Sequence, residues 1–105
     1  MFVCFKIFVV IVLKLNIKMR IALLQSIVHF DKQKTLERIA GFLQVAQANG
    51  AKLAVLPECF NCPYGREYFD KYAEPIPGPT TDFISKAARE NNLWIVAGTC
   101  CFYSN

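Results

Sequence analysis

The chain has 105 residues, enough for one domain of modest size, and it is 54% hydrophobic and 19% charged, which excludes intrinsic disorder as its main state. The formal net charge is +4, but Lys6, Lys14, Lys18 and Arg20 all precede the first acid, Asp31. Setting those four aside leaves eight basic and eight acidic side chains, so no basic face remains to follow a phosphate backbone and nucleic acid is excluded as a partner.

Residues 1–18 are Phe, Val, Ile and Leu interrupted by three lysines. Their unbroken apolar stretch, Ile7 to Leu13, would span only about 10 Å as a helix, which argues against a membrane span. A secretory signal has an apolar region of this size, yet there is no charged start and no Ala-x-Ala-like cleavage site. The segment therefore reads as an extension outside the fold, with the domain at 19–105. A targeting segment and a structural strand are the alternatives.

From Met19 the pattern becomes regular. Arg20 to Gln25 is a short apolar run of the buried-strand kind. Asp31 can cap a helix with Leu36, Ile39, Ala40 and Leu43 on one face, stopped by Asn49-Gly50. Leu53 to Leu56 is a second buried strand, ended by Pro57, and a Pro/Gly-rich loop follows from Glu58 to Pro79. Thr80 or Thr81 can cap a second helix with Phe83, Ile84, Ala87 and Ala88 inward, and Leu93 to Gly98 is a third strand. The order β-α-β-α-β implies an α/β fold with parallel strands. Leu53, Val55, Ile95 and Ala97 are expected on a sheet face that this chain only partly covers.

Several chemistries are absent or weakly signalled. There is no Gly-rich phosphate cradle and no G-x-S-x-G nucleophile elbow. His29, the only histidine, reads as a bystander before the first helix. The five cysteines are odd in number and two are adjacent, which suits free thiols in a reducing compartment. Cys59-Phe60-Asn61-Cys62 is formally a C-x-x-C. A zinc site would need a second ligand pair, and a thioredoxin-like motif would open a helix, whereas this one precedes Pro63 and Gly65 in a loop. The two cysteines read as incidental, and no metal or cofactor is expected.

Glu58 stands out because the strand ending at Pro57 projects it at the carboxyl end of a parallel sheet, where catalytic groups collect. Leu56, Pro57 and Phe60 are expected to desolvate it partly, which favours a useful base. Position alone leaves a solvated loop glutamate as an equal reading. Glu67 and Glu74, in the same loop, are expected to matter far less.

Leu56-Pro57-Glu58-Cys59-Phe60-Asn61 followed by Pro63-Tyr64-Gly65 resembles the first catalytic motif of the nitrilase (carbon–nitrogen hydrolase) superfamily, and is most similar to its omega-amidase branch. Arg20 to Gln25, Gly50-Ala51-Lys52, Tyr72-Ala73-Glu74 with Ile76-Pro77-Gly78, and Ile95 to Gly98 follow in family order and spacing. The resemblance implies the N-terminal part of an α-β-β-α sandwich, usually homodimeric, cytoplasmic, and acting without metal or cofactor. It implies a Glu-Lys-Cys triad that hydrolyses the terminal amide of small 2-oxo acids such as 2-oxoglutaramate to the acid and ammonia. Glu58 matches the family's glutamate and is the expected general base. Cys59 and Cys62 do not match the nucleophile, and neither the lysine nor the nucleophilic cysteine is matched within these 105 residues. The chain thus reads as the first third of such an enzyme, expected to be inactive alone. A non-catalytic piece that binds full-length protomers is the alternative.

Overall fold

Apolar residues spaced for one helical face and short β-branched runs set seven elements among the described residues. A computed structural model describes residues 8–12, 18–98 and 102–103. In chain order they are β1 (Phe8–Val12), β2 (Lys18–Leu23), α1 (Lys32–Ala48), β3 (Leu53–Val55), α2 (Arg66–Tyr72), α3 (Pro79–Asn91) and β4 (Trp94–Val96). The sheet runs β1-β2-β3-β4. β2, β3 and β4 are parallel, with Ile21 beside Leu53 and Leu53 beside Trp94, and β1 lies antiparallel to β2 at the edge.

α1 starts where expected. The Asp31 carboxylate accepts the Gln33 amide at 2.9 Å and satisfies one of the donors that a helix N-terminus leaves open. Its buried residues Leu36, Ile39, Leu43 and Ala46 form one stripe, packed against Ala22, Leu24, Ala54 and Leu56 of the sheet region. Ile39 and Leu43 are almost fully buried, and each such side chain contributes about 1.5–3 kcal/mol of transfer free energy. Beyond the helix, Gly50 adopts φ of 82°, a left-handed conformation that a side chain would strain.

Three expectations need correction. The stretch from Glu58 to Pro79 holds α2, a helix of seven residues, too short for the spacing of Tyr68, Phe69 and Tyr72 to stand out as a helical period. α3 is capped by Gly78 with Pro79 at its first position, so Thr80 and Thr81 lie inside the first turn. The Thr81 hydroxyl instead reaches back, accepting from the Gly78 amide at 2.7 Å. Finally, Ile95 packs toward the core, while Trp94 is 81% and Val96 52% exposed. The parallel register explains this, because Leu53 and Val55 pair with Trp94 and Val96 and so share their face. The open face in β4 is therefore Trp94 and Val96.

The pairing of Phe8–Val12 with β2 gives a strand within the stretch read as an extension. Residues 1–7 and 13–17 of that stretch lie outside the described residues. The described core cluster begins at Ala22 and is assembled by α1, α3 and the parallel strands. A chain starting at Met19 is accordingly expected to keep its helical circular dichroism while its net charge falls from +4 to +1 through loss of three lysines. Loss of the helical signal would make the edge strand an essential part of the fold.

Candidate active site

Glu58 follows β3 at its carboxyl end and opens a turn over residues 58–61. The side chain is exposed, so the expected desolvation is not present in this chain: Leu56 and Phe60 are buried in the core rather than placed over the carboxylate. The turn itself is firmly seated. Phe60, Asn61 and Cys62 are each at most 1% exposed, and the Cys62 amide donates to the Cys59 carbonyl at 3.3 Å. Cys59 takes φ of 52°, the left-handed region, which few residues other than glycine adopt without cost.

β4 closes on the same turn from the other side. The Leu56 amide donates to the Val96 carbonyl at 2.9 Å, and the backbone then brings Gly98 against Pro57. A Cβ at Gly98 would sit 2.2 Å from the Pro57 carbonyl oxygen and 2.8 Å from the Glu58 nitrogen, so only glycine fits here.

Beneath the turn lies a buried polar chain. The Asn61 side-chain amide donates to the Thr80 hydroxyl at 3.0 Å, and that hydroxyl donates to Glu74 Oε2 at 2.9 Å. The Thr80 backbone amide donates to Glu74 Oε1 at 2.5 Å. Lys32 Nζ completes the set, 2.8 Å from Glu74 Oε2 and 2.7 Å from the Tyr72 carbonyl. The first turns of α1 and α3 therefore meet on one carboxylate, and the end of α2 and the Glu58 turn are tied to it through Lys32 and Thr80. Glu74, Thr80 and Asn61 are all nearly solvent-free, whereas Lys32 is half-buried.

Sequence reasoning missed this cluster and grouped Glu74 with the exposed Glu67. The available signal was a carboxylate six positions before a threonine at a helix start, where an acid complements the helix N-terminus. Lys32, forty-two positions away from Glu74, carried no local signal. His29 contributes its backbone amide, which donates to the Thr35 hydroxyl at 2.8 Å and steadies the entry to α1. Among the described residues no three His, Cys, Asp or Glu side chains are grouped to hold a metal ion. No described helix is long and apolar enough to cross a membrane.

The carbon–nitrogen hydrolase family profile matches residues 20–105. This chain belongs to that family. Among curated relatives it is 42% identical over 80 residues to the omega-amidase NIT2 of Bos taurus and 41% identical over 80 residues to that of Homo sapiens, each match covering 76% of this chain and 29% of the relative. The Danio rerio omega-amidase NIT2 is 42% identical over 82 residues, 78% of this chain and 30% of the relative. The chain thus spans about three-tenths of the length of these relatives, and within the nitrilase superfamily it falls in the omega-amidase branch.

The electrostatics of Glu74 are set by two opposing effects. Burial pushes its carboxyl up, but hydrogen bonds from Lys32 and from the Thr80 amide and hydroxyl, together with the Lys32 charge, hold it below the ordinary glutamate value. A lowered folded pKa means that the ionised form stabilises the fold. That contribution is complete above the unfolded value of about 4.3 and is lost as pH falls through the folded one. Glu74→Gln is expected to lower stability at neutral pH by about 1.5–3 kcal/mol, the usual worth of hydrogen bonds to a charged group. Urea titrations followed by circular dichroism should show the gap between the unsubstituted chain and the Glu74→Gln variant shrinking as the medium is acidified. A gap that stays constant across pH would show that the charge is not what Glu74 contributes.

Proposed function

We propose that this chain carries the general-base part of an omega-amidase active site, with Glu58 as the base. The observation that carries the reading is the placement of Glu58. It is an exposed carboxylate at the carboxyl end of a parallel strand, on a turn in which Phe60, Asn61 and Cys62 are buried. A base held this way can receive a proton without reorganising the backbone that presents it. The family-profile match over residues 20–105 and the names of the relatives support the reaction class.

In that reaction Glu58 accepts the proton of a cysteine thiol, and the thiolate attacks the amide carbon of a small 2-oxo acid amide. A lysine steadies the resulting oxyanion, ammonia departs with the transferred proton, and water hydrolyses the thioester to the acid. The lysine and the cysteine are not matched within residues 1–105, so these residues alone are proposed to be inactive. Cys59 and Cys62 belong to the Glu58 turn and do not serve as the nucleophile.

The test joins residues 19–105 to the remaining part of the Bos taurus relative and follows hydrolysis of 2-oxoglutaramate. The joined protein is expected to release ammonia, and Glu58→Gln to slow acylation by about 10²–10⁴-fold, the usual worth of general-base assistance. Glu67→Gln is the proper control, since Glu67 is exposed, whereas Glu74 is bound into the cluster below the turn. An active Glu58→Gln protein would remove the assignment.

A further inference from the structure

The C-x-x-C pair is a sequence feature that the hydrolase reading leaves unused, and the structure gives it a geometry. Cys59 and Cys62 are the first and last residues of a turn closed by the 3.3 Å bond from the Cys62 amide to the Cys59 carbonyl. Such a turn keeps its end Cα atoms within about 7 Å, and a disulfide spans Cα separations of about 4.4–6.8 Å. The two cysteines also differ in burial. Cys59 is half-buried, whereas Cys62 is 1% exposed, with its sulfur 3.2 Å from the Pro63 carbonyl. A less buried and a more buried cysteine at the two ends of a preformed turn are the arrangement of an attacking and a resolving cysteine.

We propose that Cys59 and Cys62 are a dithiol–disulfide pair that low-molecular-weight disulfides such as oxidised glutathione convert to an intramolecular bridge. The Cys59 thiolate attacks one sulfur of oxidised glutathione, the glutathione S–S bond breaks, and one glutathione thiolate leaves. The Cys62 thiolate then attacks the Cys59 sulfur of the mixed disulfide, and the second glutathione leaves. The two protein thiols are oxidised, one glutathione disulfide is reduced to two thiols, and the protons released by the cysteines are taken up by the departing thiolates. The bridge closes a ring around Phe60 and Asn61, directly after Glu58. Because the pair is defined by the turn, it stands whether or not Glu58 is the base.

The experiment treats the full chain with oxidised glutathione under native conditions, quenches with acid and maps the peptides. Trypsin cuts after Lys52 and Arg66 and releases a peptide, 53–66, that holds Cys59 and Cys62 and none of Cys4, Cys100 or Cys101. The peptide is expected two hydrogen masses lighter and free of glutathione. Cys62→Ser should retain glutathione on Cys59, and Cys59→Ser should leave Cys62 unmodified in the native chain. With the turn already formed, the yield of bridge should exceed that in urea by about tenfold, since denatured chains must search for ring closure. A native peptide that stays reduced, keeps glutathione or links to another cysteine overturns the proposal. So does an equal yield in urea, a comparison that needs no variant to fold.

Discussion

A carboxylate taken out of water must be matched by donors, and in this chain that requirement organises the whole region around Glu58. Glu74 is 5% exposed, and it is satisfied by Lys32 from α1 and by both the amide and hydroxyl of Thr80 from α3. Thr80 then accepts from Asn61 in the Glu58 turn. Removing any one member leaves the others with buried polar atoms and fewer partners, so the cluster favours a single arrangement of the four segments it joins. Asn61 Oδ1 is the exception, a buried acceptor with no hydrogen-bond partner among the described residues. The cluster explains how a turn with a left-handed cysteine can be held steady, since the cost of that backbone is offset by three buried side chains after it.

The parts of the fold legible in the sequence were those governed by local rules. Asp31 capping, the stripe Leu36-Ile39-Leu43 and the stop at Gly50 follow from helical period and cap chemistry, and the structure shows each of them. The apolar runs at Ile21, Leu53 and Trp94 gave the parallel strands. α2 was not legible because its seven residues, Arg66 to Tyr72, make only about two turns, too few for Tyr68, Phe69 and Tyr72 to establish a period. The side of the sheet taken by Ile95 was not legible either, since a three-residue strand between buried and exposed faces shows its register only against its neighbour.

The site divided in the same way. Glu58 could be read because it sits within a short contiguous motif, directly after a strand. Its environment could not: proximity in sequence to Leu56 and Phe60 suggested desolvation, yet both side chains are turned into the core. Lys32, Asn61, Glu74 and Thr80 are scattered over the chain and meet only through the packing of α1 against α3 and the return of the loop between β3 and α3. Glu67 and Glu74 look equivalent as letters. One is exposed to water, and the other is the most heavily hydrogen-bonded carboxylate described in the chain.

The central claim is that the Glu74 cluster holds the Glu58 turn, and amide hydrogen exchange tests it most directly. The Cys62 amide, bonded to the Cys59 carbonyl, reports on the turn. In Glu74→Gln the Cys62 amide should exchange about 10–100-fold faster, the equivalent of losing about 1.5–3 kcal/mol of charged hydrogen bonding. Unchanged exchange at Cys62 would contradict the account.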